Sequence, residues 1–99
     1  MTDTPTLGTT IDELWDIIED RRYASPDESY TARLMTGPTD QILKKFGEEA
    51  TEVVMAAKDR DHEHLCYEVV DLLYHLLVGC VRAGLYPDEI AAEMRGRFK

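Results

Sequence analysis

Between Ile42 and Arg82 the apolar residues recur with the period of an α-helix on both sides of a polar break centred near Arg60. Before the break, Ile42, Leu43, Phe46, Ala50, Val53, Val54 and Ala57 form one apolar stripe, and Lys45, Glu49, Glu52 and Ala56 run along its edge. After it, Leu65, Cys66, Val69, Val70, Leu72, Leu73, Leu76, Leu77, Cys80 and Val81 cover a wide arc. A single polar seam of His64, Glu68, Asp71, His75 and Arg82 interrupts that arc. The spacing predicts two antiparallel helices joined at a turn, with Asp61 capping the second. Punctuation places two more. Thr10 with Glu13 reads as a capping box opening a helix over Ile11 to about Arg21, which Ser25-Pro26 ends. Gly84 stops the long second helix, and Pro87-Asp88-Glu89 opens a last one over Ile90 to about Phe98. Tyr23 to Pro38 has weak periodicity and reads as a loop with a helical turn near Thr31 to Leu34. Met1 to Thr9, polar and holding Pro5 and Gly8, is expected to be a flexible tail without an export signal. The fold class is therefore all-α, a single domain over residues 10–99 with about four helices.

The carboxylates on these helices are placed symmetrically. Glu49 and Asp71 each lie 11 residues from Arg60, and Glu52 and Glu68 each lie 8. In antiparallel helices of equal rise, Glu49 is level with Asp71 and Glu52 with Glu68, so four acids converge. Acidic residues on a helix are ordinarily a solvated face. Here none of Glu48, Glu49 and Glu52 has a lysine or arginine four residues on, and the second pair sits in a helix too apolar for a surface. Such a cluster repels itself unless protons or a cation neutralise it, and an all-oxygen site suits a hard divalent ion such as magnesium or manganese. A di-iron bundle would call for Glu-x-x-His spacing, which the chain lacks.

The net charge of −9 argues against nucleic acid or an anionic membrane as partner. The longest apolar run, Leu72 to Val81, is interrupted by His75 and reads as too short to span a bilayer. Cys66 and Cys80 lie 14 residues apart on one helix, about 21 Å, so they cannot pair within the chain, and reduced thiols in a cytoplasm are the simple reading. An arc as broad as that from Leu65 to Val81 exceeds what a chain of 99 residues can cover, which predicts a homodimer.

Three runs resemble phosphoribosyl-ATP pyrophosphohydrolase, of the MazG-like all-α nucleotide pyrophosphohydrolases. They are Ser29-Tyr30-Thr31-Ala32-Arg33-Leu34, the stretch from Lys44 to Val54 with Glu48-Glu49-Ala50-Thr51-Glu52, and Glu68-Val69-Val70-Asp71-Leu72-Leu73-Tyr74-His75-Leu76-Leu77-Val78. The resemblance implies a MazG-like bundle whose core is completed by dimerisation. It implies hydrolysis of phosphoribosyl-ATP to phosphoribosyl-AMP and pyrophosphate, the second step of histidine biosynthesis, by metal-assisted attack of water on the α phosphorus. On that reading Glu49, Glu52, Glu68 and Asp71 bind magnesium, with manganese as the alternative. One of them, or Glu48, orients the water, and the sequence leaves open which. Arg22, Ser29, Tyr30, Thr31, Arg33 and Lys44 are candidate substrate contacts. Lys45 and His75, each 15 residues from Arg60, are two more. For Lys45 the bland reading is a solvated pair with Glu49; for His75 it is a hydrogen-bonded core residue; for Arg22 it is the favourable cationic end of the first helix. Two other functions use the same acids: a MazG-like enzyme that removes aberrant nucleoside triphosphates, and an acidic helical interaction module.

Overall fold

A computed structural model describes residues 4–98, which fold into five helices with no strand among them. They are α1 (Leu7–Arg21), α2 (Tyr30–Thr36), α3 (Thr39–Lys58), α4 (His62–Arg82) and α5 (Pro87–Gly96). The long pair α3 and α4 forms the most extensive contact, and α1 and α2 pack on α4 beside it. The turn between them is made where the charge symmetry centres: Arg60 adopts φ 59°, a left-handed conformation that ends α3, and Asp61 caps α4 by accepting from the His64 N–H. After α4, Gly84 takes φ 83°, where a side chain would be strained.

The core is small. Trp15 and Ile18 of α1, Leu34 of α2, Ile42 of α3, and Leu77, Val78 and Val81 of α4 form the buried cluster. Phe46, Tyr74 and Ile90 pack against its edges. Gly79 lets α3 and α4 approach, because a Cβ there would sit 2.1 Å from the Phe46 ring. Arg82 donates to the Leu34 carbonyl at 2.6 Å and to the Thr39 hydroxyl at 3.2 Å, tying the end of α4 to α2 and α3.

Several boundaries differ from the sequence reading. α1 begins at Leu7, so residues 7–9, assigned to the tail, are helical; residues 1–3 lie outside the described residues. The cap is Thr6, whose hydroxyl accepts from the Thr9 N–H, whereas the Thr10 hydroxyl donates back to the Thr6 carbonyl. The expected loop contains a true helix, α2, capped by Ser29 and anchored by buried Thr31, Ala32 and Leu34. α4 is also long and apolar enough, by length and composition alone, to cross a membrane, which its interrupted run had not suggested. Glu68, Asp71 and His75 along its middle, and its packing on α1, α2 and α3, suit the central helix of a bundle.

The buried face of α3 is rotated from the expected stripe. Glu49 and Ala56 are buried, whereas Leu43, Ala50, Val54 and Ala57 are exposed, as are Val69, Val70 and Leu76 of α4. The chain exposes 7574 Å², against about 5,700 Å² for a compact protein of this mass. Its radius of gyration is 15.0 Å, against about 13 Å for this length.

Candidate metal and phosphate site

The equal spacing about Arg60 has its geometric consequence on the α3–α4 face. A cleft of about 610 Å³ is lined by Lys45, Gly47, Glu48, Glu49, Thr51, Glu52, Tyr67, Glu68 and Asp71. Both carboxylate pairs, Glu48 and Lys45 therefore line one cleft between α3 and α4. Oxygens of Glu49 and Asp71 and a ring nitrogen of His75 lie within 4.8 Å of one another. Glu49 and Glu68 are each 7 % exposed, Glu48 and Glu52 are open to solvent, and Asp71 is between.

The electrostatics follow from that packing. Burial pushes the Glu49 carboxyl above the ordinary carboxylate range; hydrogen bonding to Asp71 and its charge add to the rise, and His75 and Lys45 oppose it. Lys45 Nζ lies 3.8 Å from Glu48 and 4.0 Å from Glu49, too long to satisfy either carboxylate. A close, partly buried set of carboxylates whose inner member is held towards its protonated form is short of positive charge. That donor set, all oxygen and drawn from two rigid helices, fits a hard divalent cation.

The other candidates are distributed around this cleft. His75 is buried beneath it, with Nδ1 2.8 Å from the Asp71 carbonyl oxygen and 3.7 Å from its carboxylate, and Nε2 3.0 Å from the Tyr30 hydroxyl. Tyr30 is stacked on Tyr74 at 6.3 Å between centroids, and burial raises its phenol pKa. The Ser29 hydroxyl is occupied capping α2, and that of Thr31 is paired with Tyr74 inside the bundle. Arg33 donates to the Pro26 carbonyl at 2.9 Å and lies 5.6 Å over the Tyr30 ring. Arg22 pairs with Glu19 at 3.6 Å, at the end of α1. Lys44 is exposed on the neighbouring face of α3. None of these side chains from Arg22 to Lys44 lines the acidic cleft.

Three cleft residues had no role in the sequence reading: Gly47, Thr51 and Tyr67. Outside the lining, His64 Nε2–H donates to Glu68 at 2.9 Å, an i, i+4 contact visible in the polar seam. Tyr67 lines the wall beside Glu68, and only its adjacency to that acid pointed to it.

Residues 11–98 match the family profile described as Phosphoribosyl-ATP pyrophosphohydrolase. A Trichlorobacter lovleyi protein named Phosphoribosyl-ATP pyrophosphatase is 49 % identical over 88 residues, covering 89 % of this chain and 82 % of its own length. A Geobacter metallireducens protein of the same name is 50 % identical over 82 residues, covering 83 % and 75 %. A Haloarcula marismortui protein, again of that name, is 45 % identical over 92 residues, covering 91 % and 94 %.

Proposed function

The chain belongs to the phosphoribosyl-ATP pyrophosphohydrolase family, and on that premise we propose that it hydrolyses phosphoribosyl-ATP to phosphoribosyl-AMP and pyrophosphate in histidine biosynthesis. The observation that carries the reading is the convergence of Glu48, Glu49, Glu52, Glu68 and Asp71 on one cleft that Lys45 also lines. A triphosphate brings several negative charges, and a wall of carboxylates alone would repel it. Glu49, Glu52, Glu68 and Asp71 would hold magnesium, or manganese in its place, which when bound would neutralise the phosphate charge and polarise the phosphoryl oxygens.

The chain's own groups do the rest. Lys45, drawn between two acids without a close contact to either, binds a phosphate oxygen. Glu48, exposed on the cleft wall and outside the buried pair, accepts a proton from water directed at the α phosphorus. Arg22, Arg33 and Lys44, on neighbouring surface, steer and bind the outer parts of the substrate. The exposed apolar residues Val54 and Met55 of α3 and Val70 of α4, together with the surface in excess of a compact monomer, support a homodimer that covers them. The free thiols of Cys66 and Cys80 suit a reducing cytoplasm.

Turnover of phosphoribosyl-ATP against canonical and modified nucleoside triphosphates, each with magnesium, tests the reading. We expect kcat/KM for phosphoribosyl-ATP to exceed that for the others by about a hundredfold or more. Preference for another triphosphate would assign the cleft to nucleotide sanitation, and no divalent-dependent hydrolysis of any would return it to an interaction surface.

A further inference from the structure

A second cavity adjoins the acidic cleft. It has a volume of about 600 Å³ and is walled by Leu14 of α1 and by Cys66, Tyr67, Val70 and Tyr74 of α4, which is within the size range of small-molecule sites. Tyr67 and Asp71 line both cavities. The cavities lined by Phe46 or by α5 share no residue with the acidic cleft. The two neighbours have opposite chemistry. Carboxylates and Lys45 line the first, whereas the second is apolar apart from Glu63 and Asp71. The Tyr74 hydroxyl is paired with Thr31, so Tyr74 gives the cavity its ring. Tyr67, at the junction, is 69 % exposed and has a ring face free for a ligand. A nucleoside triphosphate derivative is divided in the same way, into an anionic polyphosphate and a flat aromatic heterocycle. Ionised phosphates lose too much hydration to enter an apolar cavity. A purine gains by stacking on an aromatic side chain and by burial against Leu14 and Val70. Val70 also belongs to the exposed face proposed for the homodimer, which puts the cavity at the border of that interface.

We propose that this cavity seats the purine base of the nucleotide, and that Tyr67 is a specificity-determining residue whose ring stacks on the base while the polyphosphate stays among the acids. The proposal rests on the reading of the acidic cleft as a nucleotide pyrophosphohydrolase site. It separates recognition of the base, on α1 and α4, from the metal-dependent chemistry between α3 and α4.

Two probes, bound to the full-length protein with saturating magnesium, decide it. The α,β-methylene analogue of phosphoribosyl-ATP carries the base and cannot be cleaved between its α and β phosphorus atoms; inorganic tripolyphosphate has no base. By calorimetry, Tyr67→Ala should weaken the analogue about tenfold or more and tripolyphosphate by less than about twofold. Tyr67→Phe, which keeps the ring, should stay within about threefold of wild type for both. Equal losses for the two probes, or an analogue affinity unmoved by Tyr67→Ala, would overturn the proposal. Cys66 supplies a second readout, because it is exposed and lines the cavity, whereas burial raises the Cys80 thiol pKa and slows its reaction. The analogue at saturation should slow alkylation of Cys66 by iodoacetamide about fivefold or more, and tripolyphosphate should leave it unchanged. A Cys66 that is inert in the ligand-free protein, or a Tyr67→Ala protein that sediments as a smaller species than wild type, would give the cavity to a second copy of the chain and overturn the proposal. If neither probe binds wild type, the reading of the acidic cleft falls and the base site with it. If both bind and Tyr67→Ala does not tell them apart, the base site alone is refuted.

Discussion

Replacing Glu49 by glutamine keeps the side chain's shape and removes one charge from the tightest part of the cleft. Glu49 and Asp71 oxygens lie within 4.8 Å of each other, where two full charges repel by about 1 kcal/mol at the dielectric of water and about 3 kcal/mol at an effective dielectric of twenty. Lys45 and His75 offset part of this. Glu49→Gln without metal should therefore be more stable than wild type at neutral pH by about 1 to 3 kcal/mol, which in a domain of this size is about 4 to 20 °C in Tm. Because the folded Glu49 carboxyl is raised above its unfolded value, its ionisation opposes folding. That penalty is fully present above the folded pKa, fades as pH falls through it, and vanishes below the unfolded value. The advantage of the glutamine variant should shrink in the same window. Urea unfolding in EDTA at fixed protomer concentration, at neutral and mildly acidic pH, measures both. Saturating magnesium should reverse the order, since it stabilises wild type by about 2.7 kcal/mol at a hundred times Kd and the variant far less. A metal-free Glu49→Gln protein less stable than wild type would refute the reasoning, because the carboxylate would then be satisfied by the fold itself.

Other outcomes follow from the same geometry. Asp71→Asn and Glu52→Gln should each lower kcat by about a hundredfold or more in steady-state assays while leaving the metal-free fold intact, since even outer partners of a metal site are worth 10- to 100-fold by general experience, roughly. Gly79→Ala should destabilise by about 1 to 3 kcal/mol in urea unfolding, because its methyl group would displace the Phe46 ring between α3 and α4. Wild type should sediment as at least a dimer at micromolar concentration, and Val70→Asp, at a residue 58 % exposed on α4, should shift it towards monomer; a well-folded monomeric wild type would count against the interface.

The α3–α4 pair and its cleft were legible because both helices are long enough for periodicity to speak, and because a charge pattern symmetric about Arg60 states the register directly. The seven residues of α2 span under two turns, too few for a period, and its place is set by burial of Thr31, Ala32 and Leu34 against the bundle. Thr10 reads as the cap of α1, yet Thr6 serves; which hydroxyl meets an unpaired N–H is decided by backbone geometry. The rotation of α3 was hidden for another reason. Apolarity alone put Ala50, Val54 and Ala57 inside, yet Glu49 and Ala56 are buried against α4. On the proposed homodimer the chain would carry two apolar faces, and a single sequence does not say which is internal. The polar seam of α4 likewise mixes unlike roles: Glu68 and Asp71 line the cleft, His75 lies under it, and Arg82 ties α4 to α2 and α3.

The fate of labelled oxygen tests the central claim most directly. Hydrolysis of phosphoribosyl-ATP in ¹⁸O water with magnesium, followed by phosphorus NMR and mass spectrometry, should put one ¹⁸O in phosphoribosyl-AMP and release unlabelled pyrophosphate with no inorganic phosphate. Label in pyrophosphate would mean attack at the β phosphorus, free phosphate would mean cleavage at the γ position, and either result would contradict the account.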